Sequence, residues 1–230
     1  ALGDDDATSV IVGYLESTGS GSAFMKTAQA AAGKKPIVVL KAGVTAAGGK
    51  AASSHTGSLA GADIAYGAAF KRSGIIRAET FEQLFDYATA FAMQPIPKGK
   101  SVAIITNAGG PGIMAADAVE LAGMEVCSLE STSATALRNK LPAAASVGNP
   151  IDVLGDADPQ RYVDAVEAAR DDDSVDAIIV ILTPQAMTKP AETARAIAAS
   201  GKGGRKPILA SFMGGADVMP GREELVAADL

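Results

Sequence analysis

His55 is the only histidine in this chain of 230 residues, and it stands in the segment SSHTGS at 53–58. Ser53, Ser54, Thr56 and Ser58 surround it with hydroxyls, and Gly57 permits close approach. A helix is predicted to begin directly after this segment, so a group attached to the imidazole would meet donors and the positive end of a helix dipole. A phosphoryl group on a nucleophilic ring nitrogen suits such a place. A solitary histidine is also a common surface or core filler. Zinc fits poorly, because a protein-held zinc needs three or four ligands and the chain offers one His, a single Cys and no cluster. A Ser-His-Asp hydrolase fits poorly too, since no G-x-S-x-G elbow is present.

A histidine that accepts a phosphoryl group presents one neutral nitrogen, and a carboxylate bonded to the other nitrogen sets that tautomer. Glu16, at the end of the apolar run SVIVGYL, is the natural candidate, and Asp63 is a weaker one. Periodicity alone reads Glu16 equally as a solvated loop carboxylate. The segment TNAGGPG at 106–112 is a second place for an anion: Gly109, Gly110 and Gly112 free the backbone N–H groups ahead of a helix. It is neither a Walker loop nor a clean G-x-G-x-x-G, and a plain tight turn explains it as well. The phosphate-binding set drawn from the two segments is Ser54, Thr56, Gly57, Asn107, Gly109, Gly110 and Gly112. In NPIDV at 149–153, Asn149 and Asp152 mark a junction that a cis or turn proline with a structural Asp also accounts for.

The elements that must hold these residues follow from the apolar pattern. A strand at 9–15, a helix at 23–32 opened by Ser20 or Ser22 and closed by Gly33, and a strand at 36–43 form a βαβ unit. A long small-residue loop is expected from Val44 through Ser58, then a helix to Gly74, a short strand GIIRA, and a helix opening at Thr80. PIPKGK at 95–100 reads as a linker. Beyond it the same grammar restarts. Strands are predicted at 101–106, MEVCSL, NPIDV, VDAIIVILTP and KPILASFMGG, alternating with helices, one of them capped by Asp158. Right-handed crossovers turn such a series into a parallel sheet covered on both faces. The expected fold is α/β, with two flavodoxin-like doubly wound parallel sheets in domains of residues 1–97 and 98–230.

Composition narrows the function. Aromatics make up 4% of the chain with no Trp, so stacking platforms for single-stranded nucleic acid are scarce. The net charge is −6, divided as +1 over residues 1–99 and −7 over 100–230, which argues against DNA and anionic membranes as partners. The lone Cys127 lies in a strand-like segment and reads as a buried structural thiol. No stretch is long and apolar enough to span a membrane, no signal region is evident, and a reducing cytoplasm fits. Because the first strand begins almost at once, the chain is expected to be a piece of something longer.

Taken together, YLES at 14–17, SSHTGSLAG at 53–61, ITNAGGPGIMAAD at 105–117 and GNPIDV at 148–153 resemble the NDP-forming acyl-CoA synthetases, relatives of succinyl-CoA synthetase. The resemblance spans nearly the whole chain. It implies that His55 is a phosphohistidine passing phosphate between an acyl-CoA site and a nucleotide site, and that Glu16 steadies it. It also implies that the helices after His55 and after TNAGGPG cradle the phosphate with their N-termini. The implied reaction is acyl-CoA + Pi + NDP ⇌ acid + CoA + NTP, with ADP, ATP and Mg²⁺ held by an ATP-grasp domain and CoA by a Rossmann-type domain. The 230 residues resemble only the two flavodoxin-like domains between those parts, so this stretch is not expected to turn over alone. An oligomer is expected, since faces that dock on other domains are apolar. An alternative is the regulatory synthetase-like module of a fused lysine acetyltransferase, against which the intact His55 segment counts. A flavodoxin-like FMN module is disfavoured by the few aromatics.

Overall fold

The computed structural model describes residues 1–56 and 63–230, with only the main-chain path for Ser53, His55 and Thr56. The chain divides into two compact units, Ala1–Met93 and Gln94–Leu230.

In the first unit, strands β1 (Ile11–Leu15), β2 (Ile37–Lys41) and β3 (Ile76–Ala78) form a parallel sheet in the order β1-β2-β3. Every residue of the central β2 is buried, as expected of a strand covered on both faces. Its alternate side chains serve two cores. Ile37 and Val39 pack with Ala28 of helix α1 (Gly21–Ala32) and Phe70 of helix α3 (Asp63–Ser73), while Val38 and Leu40 pack with Leu84 of helix α4 (Phe81–Met93). Ser20 caps α1 by accepting from the Ala23 N–H at 3.4 Å, as its position predicts.

The structure corrects the segment expected to be a loop from Val44 to Ser58. Ala46–Thr56 is a helix, α2, so His55 lies in a helical turn. Its Gly48–Gly49 pair and serines suggested a loop, but Ala46, Ala47, Ala51 and Ala52 are strong helix formers and Thr45 Oγ1 accepts from the Gly48 N–H at 3.1 Å. Gly43, at φ +72°, turns the chain out of β2 so that α2 can pack back. A Cβ there would come within 3.2 Å of the Ala52 methyl.

The second unit carries five parallel strands: β4 (Ser101–Thr106), β5 (Glu125–Val126), β6 (Ile151–Asp152), β7 (Ala177–Leu182) and β8 (Ile208–Phe212). The path runs β5-β4-β7-β8, and β6 also pairs with β4. Short β5 lies against Ser101 and Val102 of β4, and short β6 lies against Ile105 and Thr106. Asn149 fills the gap between them. Its Oδ1 accepts from the Ile104 N–H at 2.9 Å, and its Nδ2 donates to the Val102 and Cys127 carbonyls at 2.7 and 2.6 Å. A side-chain amide therefore completes a ladder that a longer strand would have closed.

The Asn149–Pro150 bond is cis, and Asp152 Oδ1 accepts from the N–H of Leu154, whose φ is +74°. The structural reading of NPIDV is thus the one that holds. Helix α5 (Gly109–Leu121) covers the face formed by Val102 and Ile104. On the opposite face lie α6 (Ser131–Lys140), α7 (Pro159–Asp171) and α8 (Pro190–Gly201), with buried Leu137, Tyr162, Ala165, Val166 and Ile197 packed against Ala103 and Ile105. Asp158 caps α7 by accepting from the Arg161 N–H at 3.0 Å.

One element escaped sequence reading. After β8 a short 3-10 turn at Gly215–Val218 leads into α9 (Met219–Ala227). Glycines and a proline at 214–221 masked it, yet Pro220 sits in the first turn, where its missing N–H leaves no intrahelical bond unmade.

Candidate functional site

Two places carry the sequence-derived site residues, one in each unit. In the first unit, Glu16 follows β1 at the carboxyl edge of the sheet, where ligands collect in such folds. It is half-buried, and its carboxylate has no hydrogen-bond or ion-pair partner among the described residues. Its main chain is held firmly. The Glu16 carbonyl accepts from Lys41 Nζ at 2.8 Å, and two residues on, the Thr18 N–H donates to the Tyr66 hydroxyl at 3.2 Å. Lys41, only 6% exposed at the end of β2, also donates to the Ala42 carbonyl and lies 4.5 Å from the centre of the Tyr66 ring. Sequence reading missed both Lys41 and Tyr66. The available signal was a charged residue closing the apolar run IVVLK, since a charge at the end of a buried strand must find partners.

Asp63 is engaged elsewhere. Both its oxygens accept from Arg77, at 3.0 and 3.1 Å, and Arg77 also pairs with Glu79 at 3.0 Å. It is therefore not a free carboxylate awaiting an imidazole, and Glu16 is left as the candidate. Ser54 is exposed and its hydroxyl donates to the Lys50 carbonyl one turn back at 3.0 Å. The side chains of His55 and Thr56, and Gly57 as a whole, lie outside the described residues.

In the second unit, the turn from β4 into α5 is built from backbone and small groups. Thr106 Oγ1 accepts from the Ala108 N–H at 3.0 Å and lies 2.9 Å from the Ala108 carbonyl oxygen, fixing the turn. Ala108 is the N-cap and supplies no side-chain acceptor, so the first N–H groups of α5 have no cap. Gly109 and Gly110 are exposed, and a Cβ on either would meet nothing within 4 Å. Packing therefore does not require glycine at these two positions. Their consequence is an uncluttered helix N-terminus, able to offer N–H groups and a partial positive charge to an oxyanion.

Gly112 and Asn107, also in the expected anion set, are both engaged within the fold. Gly112 is buried, and a Cβ there would come within 2.9 Å of Thr106 Cγ2 and 3.4 Å of Pro150 Cβ. It lets α5 lie close on the sheet. Asn107 is 2% exposed; its Nδ2 donates to the Thr183 carbonyl at 2.8 Å and its Oδ1 accepts from the Thr183 N–H at 2.9 Å. That side chain ties the β4 turn to the end of β7. Cys127 is buried, and that burial pushes its thiol above the ordinary range, with Asp172, Glu125 and Asp176 adding to the shift. It is a packing residue and a poor nucleophile.

The chain is similar to known proteins along nearly its full length. Residues 1–91 match the succinyl-CoA ligase like flavodoxin domain, and residues 102–228 match the ligase-CoA domain. Acetate–CoA ligase (ADP-forming) I of Archaeoglobus fulgidus is 41% identical over 94% of this chain and 30% of its own length. The alpha subunit of acetate–CoA ligase (ADP-forming) II of Pyrococcus furiosus is 41% identical over 93% of this chain and 48% of its own. The dinucleotide-forming acetyl-coenzyme A synthetase 1 of Candidatus Korarchaeum cryptofilum, solved in complex with phosphate and ADP, superposes with a TM-score of 0.93 at 34% identity. That match covers 99% of this chain and 50% of the other. The chain thus spans half or less of these relatives, and through residues 102–228 it belongs to the ligase-CoA domain family.

Proposed function

We propose that this chain is the phosphoryl-carrying part of an NDP-forming acyl-CoA ligase. In the overall reaction, acyl-CoA, phosphate and ADP give the free acid, CoA and ATP. A phosphate oxygen attacks the thioester carbon and the C–S bond breaks, giving an acyl phosphate and CoA. One nitrogen of His55 then attacks the phosphorus, and the acyl carboxylate leaves. A terminal oxygen of the nucleoside diphosphate next attacks the phosphohistidine, and the P–N bond breaks. Glu16 accepts the N–H of the other ring nitrogen and offsets the charge that builds on the ring. Gly109 and Gly110 offer backbone N–H groups to the phosphate oxygens. Ser54, Thr56 and Gly57 complete the set in the first unit. By analogy with oxyanion donors, such contacts lower the barrier by about 3–4 kcal/mol.

The observation that carries this reading is the similarity to ADP-forming ligases over more than nine-tenths of the chain. The Glu16 carboxylate, without a partner among the described residues, and the uncapped start of α5 support it. Residues 1–97 act as the phosphohistidine domain and 98–230 as the ligase-CoA domain. CoA and nucleotide are held by a CoA-binding part and an ATP-grasp part beyond these residues, on the same polypeptide or on a partner subunit. Mg²⁺ belongs with the nucleotide, on the ATP-grasp part. Exposed Tyr14 and Phe81, stacked 5.8 Å apart beside exposed Phe85, suit burial in a larger assembly. No helix among the described residues is long and apolar enough to cross a membrane, and the reading places the enzyme in the cytoplasm.

A coupled assay for ATP from acetyl-CoA, ADP and phosphate tests the proposal. The complete enzyme should form ATP, its His55→Ala variant should not, and these 230 residues alone should form none. ATP formation by the variant, or by the isolated chain, contradicts it.

A further inference from the structure

We infer that Lys41 and Tyr66 are positioning residues that clamp the main chain on either side of Ser17 and so aim the Glu16 carboxylate. The inference rests on the role proposed for Glu16 and adds two residues to it.

The clamp is visible bond by bond. The β1–α1 connection is short, and a loop that leaves a sheet edge normally pivots at its first residues. Here residue 16 is fixed through its carbonyl by Lys41 Nζ at 2.8 Å, and residue 18 through its N–H by the Tyr66 hydroxyl at 3.2 Å. The two anchors also support each other, since the Lys41 ammonium lies 4.5 Å from the centre of the Tyr66 ring.

A second acceptor, the Ala42 carbonyl, engages the same ammonium. With two carbonyls and a ring face around it at 6% exposure, the charge of Lys41 is spent inside the fold. That makes it a support for the loop rather than a ligand for a passing anion. Burying a lysine at the end of an otherwise apolar strand is costly unless it is fully engaged. Methionine would fill much the same space without that cost. What Lys41 adds is a fixed position for residue 16, next to the carboxylate that has no partner of its own among the described residues. A carboxylate that must meet one ring nitrogen gains from a rigid base, because a displacement of about 1 Å costs on the order of a hundredfold in rate.

The test uses the complete enzyme and reads the rate of His55 phosphorylation by ATP, the KM for acyl-CoA and the melting temperature. Lys41→Met should slow phosphorylation about tenfold to a hundredfold with the KM unchanged, Lys41→Arg should restore part of the rate, and Tyr66→Phe should have a smaller effect of the same kind. The decisive comparison is with Glu16→Gln. If Lys41 acts through Glu16, the double variant is no slower than Glu16→Gln alone. If the two losses multiply, Lys41 is a general support of the fold and the inference fails, while the role of Glu16 stands. If Glu16→Gln phosphorylates at the normal rate, both fall. Should Lys41→Met not fold, the same cycle with Tyr66→Phe decides, because that change removes one hydroxyl and keeps the ring.

Discussion

In the proposed function the two units answer the same problem, how to meet a phosphate at the carboxyl edge of a parallel sheet, with different materials. In the first unit the edge is held by long side chains. Lys41 and Tyr66 hold the loop that bears Glu16, and His55, the proposed nucleophile, lies in α2. In the second unit the turn into α5 is made of Thr106, Ala108 and glycines, with Asn107 tied to Thr183 below it and bare N–H groups above. A covalent intermediate needs a particular ring nitrogen and a particular oxygen, which only side chains supply. Passing electrostatic support needs only oriented dipoles, which the backbone supplies without ordering a long side chain.

That contrast can be broken from either side. The largest effect is expected in the first unit. Glu16→Gln in the complete enzyme should lower the rate of His55 phosphorylation by about 10²–10³-fold, within the range of general acid–base contributions, and leave the melting temperature alone. Rapid-quench kinetics with labelled ATP would check it, and a loss under threefold would remove Glu16 from the account.

Next comes a purely structural effect in the second unit. Asn149→Ala leaves the Ile104 N–H and the Cys127 carbonyl without their partner and takes one of two donors from the Val102 carbonyl, so denaturant unfolding should show a loss of about 3 kcal/mol. A loss below 1 kcal/mol would show that the gap between β5 and β6 closes without it.

Smaller and more telling is Gly110→Asp. A carboxylate in the first turn of α5 should stabilise the second unit by about 0.3–1 kcal/mol through the helix dipole, yet raise the KM for phosphate about tenfold by occupying the anion's place. Stability and turnover moving in the same direction would contradict an anion site at that turn.

The smallest effect is one of pH. Asp172 is 2% exposed. Burial works to raise its pKa, but hydrogen bonds from Ser174, Ser133 and the Glu130 N–H outweigh it and hold the carboxyl below its ordinary 3.8. A depressed folded pKa gives stability that is present above the unfolded value and lost as pH falls through the folded one. Melting temperatures of the second unit should therefore drop below about pH 4, and Asp172→Asn should flatten that part of the curve. An unchanged slope in the variant would assign the acid sensitivity to other carboxylates.

Much of this architecture was legible in the residues, because it rests on local signals. The buried run of β2, the caps Ser20 and Asp158, and the strand–turn–helix at 101–121 each announce themselves within a few positions. The failures have physical causes. Helix α2 was read as a loop because its glycines and serines outweighed four alanines in a segment whose cap, Thr45, is inconspicuous. Helix α9 was lost behind Gly214, Gly215 and Pro220.

At the candidate site, Glu16 and the Gly109–Gly110 turn could be named from type and position. Gly112 and Asn107 have types that suit an anion site, but their roles depend on a packing distance and on a partner 76 residues away. Lys41 and Tyr66 were invisible for the same reason, since the loop they hold is remote from both in sequence.

The central claim is that one side chain of the first unit, His55, carries the phosphoryl group while the second unit only assists. The most direct measurement incubates the complete enzyme with labelled ATP, maps the label by peptide, and tests its stability in acid. The account predicts acid-labile label confined to the peptide containing His55 and absent from His55→Ala. Acid-stable label, or label on any peptide from residues 94–230, would contradict it.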